Sequence, residues 1–186
     1  MAVSATISER VLFAPFDETA AEFLAFVGSA TKSLAINIYG FHLPPLTDLL
    51  IAKHRAGVMV SLILDHSQEA GRAEGAEVAK LVAAGVPLLV GTSPVHRQIL
   101  HAKFTVVDGT AVEYGSWNYS LSASQQSNDL HFTTSEEIAR EYLKHHDTIR
   151  TFIVLHEMAM QPAGVSPAAE MLDPKAVPAA GLESAA

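Results

Sequence analysis

The sequence predicts an α/β domain in which a mixed β-sheet is flanked by helices. Three observations carry this. In the first half of the chain, short apolar runs with strand character alternate with amphipathic segments of helical period, the pattern of a sheet with helices packed on its faces. In the second half, Asp108-Gly109 separates two strand-like runs, a strong hairpin signal. The chain has 186 residues, 49% of them hydrophobic and 17% charged, which suits one domain with a self-sufficient core.

Element by element, Val11 to Ala14 reads as a short strand. Asp17 to Thr31 reads as a helix, with Ala20, Phe23, Leu24 and Val27 at helical spacing and Asp17 and Glu18 at the N-terminal end that favours acids. Ser33 to Phe41 alternates Leu34, Ile36 and Ile38 against Ala35, Asn37 and Tyr39, as a strand does. Pro44-Pro45 opens a helix that runs through His54 and is closed by Gly57. Val58 to Leu64 is a nearly continuous apolar run ending in Asp65, the look of a buried strand. Glu74 to Ala84 is helical and stopped by Gly85, and Val86 to Val90 is a strand. Ile99 to Val107 and Thr110 to Tyr114 form the hairpin. A Ser/Asn/Gln-rich loop, Ser116 to Ser127, leads to a strand at Asp129 to Thr133. A long helix follows from Ser135, its N-cap, to about Met158, with Glu136 and Glu137 in the first turn. Its His145-His146 pair reads as a polar face. The folded domain is expected to span residues 1–160. Residues 161–186 hold four of the nine prolines and eight alanines, and read as an Ala/Pro-rich disordered tail.

Composition excludes several classes. The net charge of −8 excludes a generically basic nucleic-acid binder, though not a local basic site. Without cysteine there is no disulfide, zinc–thiolate site or thiol nucleophile. No apolar run reaches the roughly 18–20 residues that span a bilayer. The first ten residues lack the basic start and apolar stretch of a signal peptide, so a cytoplasmic location is expected.

Two stretches carry chemistry. In His101-Ala102-Lys103-Phe104-Thr105-Val106-Val107-Asp108, a strand would project His101, Lys103 and Thr105 from one face. Imidazole and ammonium side by side on a strand face are disfavoured unless paired or functional. In Gly115-Ser116-Trp117-Asn118, Ser116 and Asn118 are again two apart, at the exit of the next strand. The hairpin brings the two stretches together. The resulting pocket of imidazole, ammonium, hydroxyl and amide offers several donors and one nucleophile to an oxyanion.

His-x-Lys-x4-Asp followed by Gly-Ser-x-Asn resembles the signature of the phospholipase D superfamily, most closely its small bacterial endonuclease branch with a single copy of the motif. Ala30-Thr31-Lys32-Ser33, His54-Arg55-Ala56-Gly57-Val58 and Ala83-Ala84-Gly85-Val86-Pro87 also look like that branch, and the resemblance runs from about Val11 to Phe152. It implies the phospholipase D-like fold and a metal-independent phosphodiesterase working through a phosphohistidine, foremost a non-specific endonuclease on DNA or RNA. By resemblance His101 is the nucleophile, Lys103 and Asn118 hold phosphate oxygens, and Ser116 positions the site. Asp129 stands where the family usually has a Glu bonded to the other ring nitrogen of the nucleophile. Asp108 belongs to the motif with a structural role.

In-line displacement also needs an acid on the leaving side. The residues two after the other eight histidines are Pro44, Ala56, Gln68, Gln98, Thr133, Asp147, Thr148 and Met158, so no second His-x-Lys exists in the chain. The second His101 is therefore expected from another copy, in a homodimer with a composite site. No cofactor is implied, and the histidines show no spacing typical of a metal site. His96, Arg97 and His66 are candidate phosphate contacts, with solvated loop residues as the plain alternative. Trp117 either stacks on a nucleobase or packs locally. Two other functions compete: a phospholipid phosphodiesterase, and a nucleic-acid-binding or structural domain of the same fold with impaired catalysis.

Overall fold

The computed structural model describes residues 8–69 and 72–156. Nine strands and five α-helices follow in the order β1 (Ser8–Ala14), α1 (Thr19–Gly28), β2 (Ser33–Ile38), β3 (Phe41–His42), α2 (Pro44–Arg55), β4 (Met59–Asp65), α3 (His66–Glu69), α4 (Arg72–Ala83), β5 (Leu88–Gly91), β6 (Lys103–Val107), β7 (Ala111–Gly115), β8 (Tyr119–Ser120), β9 (Asn128–Thr134) and α5 (Glu136–His156). Seven strands make one sheet in the order β1-β9-β7-β6-β2-β4-β5. β2, β4 and β5 are parallel, and β6, β7, β9 and β1 continue the sheet antiparallel. The mixed sheet flanked by helices is thus as the sequence predicts. The expected domain end at residue 160 and the tail lie outside the described residues.

The period-2 pattern of β2 sorts the two layers. Leu34, Ile36 and Ile38 join the larger core with Phe23 and Val27 of α1, Leu46 and Leu50 of α2, and Leu81 of α4. Ala35 faces the other way, toward Phe104, Val106, Val112 and Ala139 of α5. A neighbouring cluster joins Ile63 and Leu100 to Ile149 and Ile153 of the same helix. Burying each such Leu, Ile or Phe side chain contributes about 1.5–3 kcal/mol. Ser135 caps α5 as expected, its hydroxyl accepting from the Ile138 N–H at 3.3 Å.

The turn between β6 and β7 is built as the sequence requires. Asp108 and Gly109 have φ of 53° and 69°, and the Thr110 N–H donates to the Val107 carbonyl at 3.0 Å. Positive φ at both central positions is what a type I′ hairpin needs.

Four expectations are corrected. α1 starts at Thr19 rather than Asp17, because the Asp17 carboxylate accepts the Phe13 N–H at 2.7 Å and so closes the preceding turn. The strand expected through Phe41 stops at Ile38, and Phe41–His42 pairs instead with Tyr119–Ser120 in a separate two-stranded sheet inside the Ser/Asn/Gln-rich loop. The strand expected from Ile99 begins only at Lys103, so His101 lies just outside it. Leu100 gives its N–H to the Asp65 carboxylate at 2.6 Å, and its side chain enters the α5 cluster. Finally, His145 is exposed but His146 is buried, 2% exposed.

His146 bridges the sheet and α5. Its Nδ1 bonds Asn37 Oδ1 and its Nε2 meets Ser61 Oγ at 2.8 Å. Burial, with the positive charge of Arg150 as a smaller cause, pushes its pKa down to about 4. The unfolded ring protonates near 6.5, so stability is complete above that value and falls as pH drops toward 4. The difference corresponds to about 3 kcal/mol. Asp108 is depressed to about 2, so its loss occurs in a lower window, below its ordinary carboxylate value. Urea unfolding between pH 7 and 4 is expected to show the His146 decline, and His146→Gln should flatten it. An equally steep decline in that variant would contradict the assignment.

Candidate active site

The site is built at one edge of the sheet, where β2 and β4 end and β6 begins. Lys103, the first residue of β6, is 7% exposed, and its Nζ donates to the His101 carbonyl at 2.9 Å. The Tyr39 ring joins the pair: the His101 ring centroid lies 4.8 Å from it, and Lys103 Nζ 5.3 Å from its centre. His101 itself is exposed. Desolvation is the main cause that lowers its pKa, Lys103 adds to this, and Asp65 opposes it. The lowered pKa favours the neutral ring, the form in which an imidazole can act as a nucleophile. Burial also lowers the pKa of Lys103.

Asp65, fully buried at the end of β4, sets the approach to His101. One oxygen accepts the Leu100 N–H and the other the Ser67 N–H at 2.9 Å. The backbone on either side of the site is thus tied to one carboxylate, which fixes the loop that carries the imidazole.

The Gly-Ser-x-Asn segment closes the other wall. Asn118 Oδ1 accepts the Gly40 N–H at 3.2 Å, which places its amide beside Tyr39. A Cβ at Gly115 would lie 2.2 Å from the Asp129 carbonyl oxygen, so only glycine permits the approach of β7 to β9 here. That approach locks Ser116 to Asp129. The Ser116 N–H donates to the Asp129 carbonyl at 3.1 Å, the Asp129 N–H to Ser116 Oγ at 3.0 Å, and the Ser116 hydroxyl to Asp129 Oδ1.

Here an expectation is corrected. Asp129 is not bonded to His101: its second oxygen, Oδ2, lies 2.8 Å from His131 Nε2. Residues 129 and 131 share a face of β9, and an aspartate, one methylene shorter than glutamate, keeps both oxygens on its own neighbours. The Ser116 hydrogen bond is the main cause that lowers the Asp129 pKa, with His131 contributing in the same direction.

Asp108 lies at the far end of β6 from Lys103. It accepts from the backbone of Thr31, Lys32 and Ser33 and from the Thr31 hydroxyl, tying the hairpin turn to the start of β2. Its role in this geometry is structural. Trp117 is fully buried, packed against Phe23 at 5.4 Å and Tyr119 at 5.6 Å, with its indole N–H on Ser124 Oγ. Of the two readings of Trp117, packing holds and nucleobase stacking is corrected. His96 and Arg97 are exposed on the loop leading into His101, and His66 is exposed at the start of α3, directly after Asp65.

Sequence reasoning missed Tyr39, Asp65 and His131. Tyr39 was visible as the residue continuing the Asn37 face at a strand end. Asp65 was visible as a single charge closing an apolar run, and nothing local distinguished His131. Among the described residues no group of three or more His, Asp or Glu is placed to hold a metal ion. No described helix is long and apolar enough to cross a membrane.

Comparison with known proteins agrees with this fold. Residues 23–150 match the family model described as cardiolipin synthase, PLD-like domain. Mitochondrial cardiolipin hydrolase of Xenopus laevis is 32% identical over 129 residues, covering 69% of this chain and 59% of that protein. The chain spans about half the length of the curated relatives it matches. Nuc from Salmonella typhimurium, a phospholipase D family member, superposes with a TM-score of 0.71 at 27% identity, covering 77% of this chain and 93% of that one. NucT from Helicobacter pylori shares the fold, with a TM-score of 0.66 at 18% identity over 77% of this chain and 95% of that one. The His101–Lys103 pair over Tyr39, the Gly-Ser-x-Asn segment anchored on Gly40 and Asp129, and a family match over most of the domain lead to one conclusion: the chain belongs to the phospholipase D superfamily, within its PLD-like domain family.

Proposed function

We propose that the protein is a metal-independent phosphodiesterase that hydrolyses nucleic acid as a non-specific endonuclease, through a phosphohistidine on His101. The observation that carries this is the exposed imidazole with a lowered pKa, set over Tyr39 beside the buried Lys103. A neutral ring nitrogen attacks phosphorus, the bond to the leaving alkoxide breaks, and the Lys103 ammonium offsets charge on the phosphorane oxygens. Asn118 donates its amide N–H to the same oxygens. In a twofold dimer one His101 ring attacks in its neutral form while the partner subunit's His101 carries the shared proton and gives it to the leaving oxygen; the ring so deprotonated then removes a proton from the water that cleaves the P–N bond. Ser116 and Asp129 act as a brace, holding the Asn118 segment against β9.

The acidic body repels nucleic acid at long range, so attraction rests on Lys103 and on the exposed His96 and Arg97 at the rim. A second reading, hydrolysis of cardiolipin, is favoured by the names of the curated relatives.

One experiment addresses both readings. The purified chain is assayed with EDTA on DNA, on RNA and on cardiolipin vesicles, with its mass measured by light scattering. Nucleic-acid cleavage that persists in EDTA, from a species of twice the 19.8 kDa chain mass, is expected. Cleavage of the lipid alone would select the second reading. Complete loss on chelation, or a fully active monomer, would contradict the mechanism.

A further inference from the structure

A second feature lies at the same sheet edge, on the α5 side. A cleft of about 270 Å³ opens between Lys103, Phe104 and Gly115 on the sheet and Tyr142 and His145 on α5. One of its walls continues as a ladder of rings. Tyr114 stacks on His131 at 5.1 Å with an interplanar angle of 11°, and on Tyr142 at 5.5 Å and 26°. Tyr142 in turn packs against the buried Phe104 at 4.8 Å. Phe104 already fills the core beneath, yet Tyr114, His131 and Tyr142 are only partly buried and His145 is exposed.

Three ring systems held nearly parallel at a partly open surface are a stacking platform, the device by which proteins take bases without reading sequence. The cleft is also joined to the phosphate pocket. Lys103 belongs to both, Gly115 precedes Ser116, and His131 holds the Asp129 that Ser116 grips. A ligand fixed by its phosphate at His101 therefore extends into the cleft through the group attached to that phosphate. The cleft is smaller than the usual range for drug-sized ligands. Its walls are mainly rings, the phenols of Tyr114 and Tyr142, the phenyl of Phe104 and the imidazole of His145, with only Ala102 and the Lys103 stem as aliphatic parts. Both properties fit one planar base and not acyl chains.

We propose that this cleft is a nucleobase subsite, in which a base next to the scissile phosphate stacks against Tyr142, the ring that ends the ladder, with His145 at the rim. The proposal rests on the nucleic-acid reading of the site, and it makes binding dependent on the base rather than on the phosphate alone.

The test compares a short single-stranded oligonucleotide with the same strand carrying abasic residues on both sides of the scissile bond. The full chain and its Tyr142→Leu and His145→Ala variants are used, with thermal unfolding of each recorded. The intact strand is expected to show a KM roughly tenfold below that of the abasic strand. Tyr142→Leu should lose most of that difference, with the loss falling on KM more than on kcat, and the exposed His145→Ala should lose part of it while unfolding like the wild type. Equal KM for both strands in the wild type, or an undiminished preference in Tyr142→Leu and His145→Ala, would overturn the subsite while nuclease activity stands. Cleavage of neither strand by the wild type would overturn the nuclease reading and the subsite together.

Discussion

His101→Ala is expected to lower phosphodiester turnover by roughly 10⁴-fold or more, with thermal unfolding unchanged. The loss is large because the imidazole is assigned the covalent step, and the Ser116 hydroxyl at the same edge is committed to Asp129. The fold is expected to survive because the side chain is exposed and precedes β6 rather than pairing within it. Lys103 bonds the His101 carbonyl, which alanine retains, and Asp65 grips the Leu100 N–H, which is also retained. A circular-dichroism melt alongside the assay separates chemistry from folding. Activity within a few fold of the wild type would remove His101 from the mechanism.

Lys103→Met is expected to reduce kcat by about 10²–10³, the effect of losing about 3–4 kcal/mol of stabilisation of a developing oxyanion. Methionine fills much of the space of the lysine stem, so the loss reports the ammonium. Stability should hold or rise. The ammonium is mostly buried, its environment lowers its pKa by desolvation, and an unpaired buried charge costs free energy. Steady-state kinetics and a urea melt measure the two quantities. A kcat loss below about fivefold would show that Lys103 does not meet the transition state.

The elements were legible where their signal is local. Leu34, Ile36 and Ile38 announce one face of β2 by alternation. Asp108-Gly109 announces the turn because few residues accept positive φ at two successive positions. The motif residues were legible because their spacing is short, and the hairpin does bring Lys103 and the Gly115–Asn118 segment to one edge. What escaped depends on partners distant in sequence. His101 falls outside the strand because Leu100 answers to Asp65, 35 residues earlier. His146 looked like part of a polar helix face, yet Asn37, 109 residues away, and Ser61 receive it in the interior. Asp129 does not reach His101, because Ser116, 13 residues earlier, and His131 take both of its oxygens. Trp117 sits between two site residues in sequence and points into the core in space.

The central claim is that His101 becomes covalently bonded to phosphorus, and configuration at phosphorus tests it most directly. A phosphorothioate diester of a single configuration is hydrolysed in heavy-oxygen water, and the stereochemistry of the product is determined. Two successive in-line displacements, by His101 and then by water, predict net retention. Net inversion would show a single direct attack by water and would contradict the account.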